Sequence, residues 1–383
     1  MTAAGLQAEA DRAAAAGDVA RARALLEQAT GEAPDSAELW IKLAAMRRAG
    51  GDAAGALGAV HQALAAQPLD FMALLMRASL LERLGDAGAG EAYGRAIAQR
   101  PEGALAPQVA AAVAHGEALY AAHIAANEAK LAAAMAEAEA LAAPGEAARI
   151  ARFRSNALRK TRVYHSEPTH FHFPGLVERE FHDRADFPWI AELEAATDSI
   201  AAELDAVMVA ERAELVPYIQ YAEHEPLRQW RPLNHSRDWT AIHLWQNGRT
   251  IEANARHCPR TMKLLERIPQ PKIAGCSPNA MFSLLAPETH IPPHVGVANT
   301  RLVCHLPLVV PPGCWFRCGA ETREWRRGEA FVFDDTIEHE AMNPSQALRV
   351  VFIIDVWHPG LSPVEQAAVK AMMEAEGGAA AGL

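Results

Sequence analysis

The chain has 383 residues, of which 50% are hydrophobic and 22% are charged, a composition that excludes a disordered, collagen-like or disulfide-stabilised small protein. The length predicts more than one domain. Lysine and arginine number 36 against 47 aspartates and glutamates, and the resulting net charge of −11 argues against a protein that binds nucleic acid by neutralising phosphates.

The N-terminal segment lacks a secretory signal, because acidic residues interrupt it and no continuous apolar stretch follows a basic start. The most apolar region, 105–143, contains histidine, glutamate and lysine side chains that a bilayer core would penalise. The five cysteines are an odd number, which disfavours a secreted disulfide framework. We therefore expect a cytoplasmic protein with neither a membrane nor a nucleic-acid partner.

A repeat array occupies the first hundred residues. The dipeptide Gly-Asp recurs at 17, 51 and 85, and proline recurs at 34, 68 and 101. Both signals thus recur every 33 or 34 residues. Such a period predicts helical hairpins, each ended by a proline that cannot continue the helix. Small and apolar residues recur between these signals on one helical face: Ala22, Ala56 and Ala89, then Leu26, Val60 and Tyr93, then Ala29, Ala63 and Ala96.

These positions resemble the tetratricopeptide repeat family. The second repeat fits best, through Trp40, Leu43, Ala44, Ala56, Val60, Ala63 and Pro68. The resemblance implies a helical array over residues 1–103 that binds peptides or partner proteins and supplies no chemistry of its own. The alternative is an unrelated alanine-rich helical bundle.

The pattern stays helical over a linker, 104–164, and then changes. Helices are predicted at 188–212 and 258–268, and short β-branched runs predict strands at 281–285, 301–310, 314–318, 330–334 and 349–357. We therefore expect an α+β multidomain protein, in which a double-stranded β-helix (a cupin-like jelly roll) at 165–361 follows the helical array. A C-terminal helix with a flexible tail is predicted for 362–383.

Two histidines are candidate metal ligands. His294 precedes a predicted strand, and His339 lies in a Gly-x10-His-x3-Asn pattern that resembles the second cupin motif. A jelly roll brings opposing strands together at one end, so both imidazoles could face one ion, and imidazole suits Fe(II). Alternatively, each histidine is a hydrogen-bonded structural residue.

Arg349 opens an apolar strand, where a permanently charged guanidinium needs an anionic partner. A bidentate carboxylate is the best such partner, and the distal carboxylate of 2-oxoglutarate is one candidate. A salt bridge to Asp334 or Asp355 is the structural alternative.

Three segments, 294–301, 333–340 and 352–359, resemble the aspartyl/asparaginyl β-hydroxylase family in order and spacing, within a match that covers about 170–365. The resemblance implies iron binding by His294 and His339. It also implies a catalytic positioning role for Arg301, which would hold the substrate carboxylate. The residues that it implies for 2-oxoglutarate are Arg349, Ser283, His305 and Trp239.

Two positions depart from related patterns. Gly296 stands where the more common oxygenase triad has an acid, although the family resembled also uses glycine, so two protein ligands are predicted. Val303 stands where the family's animal members carry a basic residue, which leaves open how the inner carboxylate of 2-oxoglutarate or the substrate is held.

The resemblance thus implies an Fe(II)- and 2-oxoglutarate-dependent dioxygenase that hydroxylates the β-carbon of Asp or Asn, with succinate and CO2 as co-products. Its substrate would be a protein or peptide engaged by the repeat array. Two alternatives remain: a hydroxylase of a free or carrier-tethered amino acid, and a catalytically inactive binding adaptor.

Overall fold

The computed structural model describes residues 1–210, 215–222, 224–225 and 227–376. The chain divides into two compact units, Met1–Thr161 and Arg162–Leu383. The first unit is helical, and the second combines two β-sheets with helices. No helix within the described ranges is long and apolar enough to cross a membrane.

The first unit begins with three helical hairpins. Their helices are α1 Ala3–Ala15, α2 Val19–Glu32, α3 Ala37–Ala49, α4 Ala53–Ala66, α5 Phe71–Arg83 and α6 Ala89–Ile97. Contacts are densest within the pairs α1 with α2, α3 with α4 and α5 with α6. The predicted hairpin array is therefore confirmed. The helices α7 Pro107–Leu141 and α8 Pro144–Ala157 follow it.

The recurring Gly-Asp dipeptides form the turns inside these hairpins. Asp18 accepts a hydrogen bond from the backbone N–H of Arg21, and Asp52 accepts one from Gly55, so each aspartate caps a helix N-terminus. The residue before each aspartate has φ between +71° and +82°, a conformation that favours glycine. These residues are Gly17, Gly51 and Gly85.

The small residues predicted to lie on one helical face form the core of the array. Five of them are fully buried: Ala22, Ala29, Ala56, Ala63 and Ala96. Ala89 is only partly buried, because it is the first residue of α6.

The second unit contains eleven described strands. They are β1 Val216–Pro217, β2 Trp239–Gln246, β3 Arg249–Thr250, β4 Ala280–Leu285, β5 Thr289–His294, β6 Arg301–Val309, β7 Trp315–Cys318, β8 Glu321–Glu324, β9 Phe331–Phe333, β10 His339–Asn343 and β11 Arg349–Trp357. One sheet has the order β1-β2-β4-β11-β6-β9, with β3 paired to β2, and the other has the order β5-β10-β7-β8. The strand pairs within both sheets are antiparallel. The five predicted strands correspond to β4, β6, β7, β9 and β11 to within a residue at each end.

The predicted helix 188–212 is wrong as one continuous element. The structure has two helices, α9 Ile190–Ala195 and α10 Thr197–Met208, and residues 211 and 212 lie outside the described residues. The helices meet where the Thr197 hydroxyl donates to the carbonyl of Glu194 at 2.6 Å. The remaining helices are α11 Glu252–Ala255, α12 Pro259–Leu265 and α13 Pro363–Ala375, and the predicted tail after residue 376 lies outside the described part.

Two apolar cores lie on opposite faces of the larger sheet. One face packs against α9, α10 and α12, through residues such as Ile190, Leu204 and Phe352. The other face packs against the smaller sheet, through residues such as Val351, Phe316 and Ala341. This arrangement of facing antiparallel sheets agrees with the predicted jelly roll. The candidate site residues lie between the two sheets.

Candidate functional site

The two candidate metal ligands lie beside each other. His294 ends β5 and His339 begins β10, and the two residues are register partners in this antiparallel pair. Their ring centroids are 4.0 Å apart. The strand pairing therefore brings together two imidazoles that are 45 residues apart in the sequence, as the jelly-roll argument predicted.

Backbone carbonyls fix the tautomer of both rings. Nδ1 of His294 lies 2.8 Å from the carbonyl of Pro292, and Nδ1 of His339 lies 3.0 Å from the carbonyl of Ile337. Because a carbonyl only accepts, each Nδ1 carries the proton and donates it. Each Nε2 therefore keeps its lone pair available for a metal ion.

Burial keeps both rings neutral. It lowers the pKa of His339 to about 4 and lowers the pKa of His294 well below its usual value. Neutral imidazole is the form that coordinates metals. The pair thus meets the protonation requirement of a metal centre at neutral pH.

A side chain at Gly296, two residues after His294, would have no space. Within the described ranges, no group of three histidine, cysteine, aspartate or glutamate side chains could hold a metal ion. A β-carbon added at Gly296 would lie only 2.2 Å from Oδ2 of Asp335. The site therefore fits a metal held by two histidines and by ligands that the protein does not supply.

Arg349 is buried between the sheets and is only 2% exposed. Its Nη1 donates to the carbonyl of Ser283 at 3.2 Å and to the Ser283 hydroxyl at 3.4 Å, and its guanidinium lies 4.6 Å from the ring centre of Trp325. Among the described residues it has no ion pair, and the alternative salt bridge is not formed, because Asp334 accepts from Thr336 and Asp355 accepts from Ser277 and Asn279. Burial lowers its pKa to about 10, which still leaves it charged at neutral pH.

Ser283 is prepared to donate a hydrogen bond. Its Oγ accepts from Nε1 of Trp239 at 3.0 Å and from Arg349, so the hydroxyl proton remains available for a ligand. The Trp239 ring stacks on Tyr218 with 3.8 Å between centroids. Because its N–H is already used, Trp239 orients Ser283 and has no donor left for a cofactor.

Besides Arg301 Nη1, three buried nitrogens between the sheets lack a hydrogen-bond partner within the described part of the chain: Arg349 Nε, Trp325 Nε1 and His305 Nδ1. Burial lowers the pKa of His305 well below its usual value, so this ring is neutral. Buried polar groups are nearly always paired in folded proteins. These nitrogens, with the Ser283 hydroxyl, therefore fit a ligand rich in acceptor oxygens, such as a carboxylate.

Arg301 lies on the same face of β6 as Val303 and His305, by the two-residue period of a strand. Its Nη1 is 3.5 Å from Oδ2 of Asp335, and both side chains are 7% exposed. Arg301, which the family resemblance assigns to a substrate carboxylate, is therefore already paired with Asp335.

Three residues of the site were missed by sequence reasoning. Asp335 lay inside a quoted motif, four positions before His339, but was given no role. Trp325, which contacts Arg349, lies just after β8, and Tyr218, which stacks on Trp239, lies just after β1. No periodic signal marked either aromatic residue.

A two-sheet jelly roll with an internal histidine pair is the class of domain that the fold and site define for the second unit. The family model described as aspartyl/asparaginyl beta-hydroxylase matches residues 194–359. The ornithine lipid ester-linked acyl 2-hydroxylase of Rhizobium tropici is 32% identical over 201 residues, which are 52% of this chain and 67% of that protein. The chain belongs to the aspartyl/asparaginyl β-hydroxylase family.

The human aspartyl/asparaginyl beta-hydroxylase is 33% identical over 206 residues, which are 52% of this chain. The match spans 27% of the human protein and 28% of its mouse counterpart, or about a quarter of their length. Among solved structures, the Sgt2 TPR domain from Aspergillus fumigatus is 22% identical and covers 30% of this chain and 76% of its own, with a TM-score of 0.28.

Proposed function

We propose that this protein is an Fe(II)- and 2-oxoglutarate-dependent dioxygenase that hydroxylates the β-carbon of Asp or Asn in a protein or peptide. The observation that carries the proposal is the pairing of His294 with His339, since both tautomers leave Nε2 free, beside a buried Arg349 that lacks a carboxylate partner in the described chain. Kinship with proteins named as Asp/Asn hydroxylases supports the reaction and the residue type.

Iron and 2-oxoglutarate would together supply the oxidant, since one oxygen atom of O2 enters the cosubstrate, which leaves as succinate and CO2, and the other enters the substrate C–H bond. His294 and His339 would hold the iron. Their Nδ1 hydrogen bonds would keep both rings oriented, as carbonyl partners do for metal-binding histidines generally.

The chain's own residues would select and orient the dicarboxylate. Arg349 would bind its distal carboxylate, and the Ser283 hydroxyl would donate a further hydrogen bond, with Trp239 holding that hydroxyl in place. The unpaired nitrogens of Trp325 and His305 would find acceptors only when the ligand is bound.

The repeat array would engage the polypeptide substrate, the role proposed for it from its resemblance to tetratricopeptide repeats. Arrays of this kind use an extended surface for binding partners. Chemistry would then be confined to the second unit.

Anaerobic loading of the full chain with Fe(II) and 2-oxoglutarate, followed by O2, tests the proposal. We expect succinate to form in an O2-dependent way, and Asp- or Asn-containing peptides to gain the mass of one oxygen atom. His339→Ala should abolish both products. His290→Ala is the matched control, because His290 lies on the same strand as His294 but points to solvent and pairs with Glu340. Absence of succinate from the unaltered chain, or equal yields from all three proteins, would overturn the proposal.

A further inference from the structure

The charges that face the proposed substrate position are largely balanced within the protein. Arg301 is paired with Asp335, and the buried carboxylate of Asp355 also acts electrostatically on it. The next residue on the same face of β6 is Val303, which is 4% exposed and apolar. Arg349 is the remaining cation of this region, and the proposed function uses it for 2-oxoglutarate. The described site therefore offers no uncompensated cation to a second carboxylate.

The Arg301–Asp335 pair directly adjoins the histidine pair. Asp335 precedes His339 by four residues, and its backbone carbonyl accepts the N–H of Gly296 at 2.6 Å. Gly296 follows His294 by two residues, and the Asp335 carboxylate fills the space beside it. Asp335 is therefore in contact with the segment that carries His294 and lies in the segment that carries His339.

Each partner of the ion pair has one buried polar atom without a hydrogen bond. Arg301 Nη1 and Asp335 Oδ1 are buried, and neither has a hydrogen-bond partner in the described ranges, although Nη1 lies 3.5 Å from Asp335 Oδ2 in the ion pair. One is a donor and the other is an acceptor. A carboxamide carries the complementary set, since its oxygen accepts and its nitrogen donates.

A carboxylate does not complement this set. It has no proton to donate to Asp335, and it would place a second negative charge beside a buried one, which is unfavourable. Arg301 cannot offset that repulsion fully, because its charge is already shared with Asp335.

On the basis of the proposed function, we propose that Arg301 and Asp335 together form a carboxamide-recognition site that makes asparagine, and not aspartate, the residue hydroxylated by this protein. Arg301 donates to the amide oxygen and Asp335 accepts from the amide nitrogen. Both are specificity-determining residues.

Two peptide libraries that differ only in Asn or Asp at the central position test this inference. The full chain is loaded with Mn(II) and 2-oxoglutarate without O2 and is mixed with both libraries. The peptides that stay bound to the protein are then counted by mass spectrometry. We expect at least about tenfold enrichment of the Asn library. Equal retention, preference for Asp, or retention of neither library would overturn the carboxamide site.

Two substitutions should shift the ratio of retained Asn peptides to retained Asp peptides in opposite directions. Asp335→Asn leaves Arg301 uncompensated, so the preference should move toward Asp, whereas Arg301→Gln leaves Asp335 unopposed and should disfavour Asp further. Asp198→Asn is the control, because this aspartate pairs with Arg327 at the surface and should leave the ratio unchanged. Shifts in the same direction, or none, would overturn the inference, and the ratio of the unaltered chain decides it even where a variant does not fold.

The succinate assay separates this inference from the proposed function. Succinate formation without Asn enrichment overturns the carboxamide site alone. Asn enrichment without O2-dependent succinate overturns the dioxygenase and leaves the recognition site standing.

Discussion

The carboxylate of Asp335 occupies the space that any side chain on Gly296 would need. Its Oδ2 lies 2.2 Å from the position of a β-carbon on that glycine, and its Cγ lies 2.4 Å away. Gly296 has no positive φ that would require glycine, so the requirement comes from this contact and not from the backbone. Asp335 therefore prevents position 296 from supplying a further ligand to a metal ion held by His294 and His339.

Replacing Gly296 with alanine should therefore destabilise the second unit. Real β-carbons essentially never approach other atoms this closely, and Asp335 is held by its ion pair with Arg301, so we expect a loss of about 1–3 kcal/mol in the free energy of unfolding. Urea titration followed by tryptophan fluorescence measures it. Stability equal to that of the unaltered chain would show that Asp335 moves freely.

Removing either histidine of the pair should weaken metal binding by more than about 100-fold, since even the loss of an outer partner of a metal ligand costs 10–100-fold. Calorimetric titration of the metal-free protein with Mn(II) measures the affinity of His294→Ala and His339→Ala separately. His290→Ala should bind normally. Unchanged affinity in both site variants would remove the metal centre.

Arg349→Lys keeps the charge but loses the planar donor set, so the affinity for 2-oxoglutarate should fall by about 1.5–3 kcal/mol. Anaerobic calorimetry on the Mn(II)-loaded protein measures this loss. Arg326→Lys is the matched control, because Arg326 is exposed and makes only a surface ion pair. Normal affinity of the Arg349 variant would make this arginine structural.

The second unit should lose stability as the pH falls from 7 to 5.5, partly through His182. Burial lowers the pKa of His182 to about 3, and its Nε2 has no partner in the described chain. In the unfolded chain His182 has a pKa of about 6.5 and takes up a proton at pH 5.5, whereas in the folded protein it stays neutral. This difference alone lowers the free energy of unfolding by about 1 kcal/mol at pH 5.5.

His182→Phe should flatten that pH dependence, and the exposed His172→Phe should not change it. Urea titrations at both pH values measure the slopes. An unchanged slope in His182→Phe would contradict the role assigned to this buried ring.

Two alanine substitutions in the repeat array should have opposite effects. A β-carbon at Gly51 or at Gly58 meets nothing within 4 Å, but Gly51 has φ +82° and Gly58 lies within helix α4. We expect Gly51→Ala to cost about 1–2 kcal/mol and Gly58→Ala to add up to about 1 kcal/mol. Thermal unfolding followed by circular dichroism compares them. Effects of the same sign would mean that contacts, and not backbone conformation, govern both positions.

The sequence predicted the features that depend on a repeated local pattern or on the pairing of two strands in one expected sheet. The Gly-Asp turns, the strand that begins at Arg349 and the proximity of His294 to His339 all follow from patterns within one segment or from one expected sheet. It failed where distant residues meet by closure of the fold. The Arg301–Asp335 pair joins residues 34 positions apart, and the stacking of Trp325 on Arg349 depends on how a loop after β8 returns between the sheets.

The break between α9 and α10 was missed for a local reason. Thr197 interrupts the helix by hydrogen bonding the carbonyl of Glu194, while the apolar period continues across the junction. The period of the apolar residues alone therefore predicts one continuous helix.

The two outer strands of the smaller sheet are poor templates for fibril growth. In the described chain, β5 and β8 each pair with one neighbour, so one edge of each is open. Pro292 and Pro293 in β5 have no N–H to offer an incoming strand, and β8 carries Glu321, Arg323 and Glu324 within four residues. The Pro292-Pro293 pair that precedes His294 thus also helps to keep concentrated protein from assembling edge to edge.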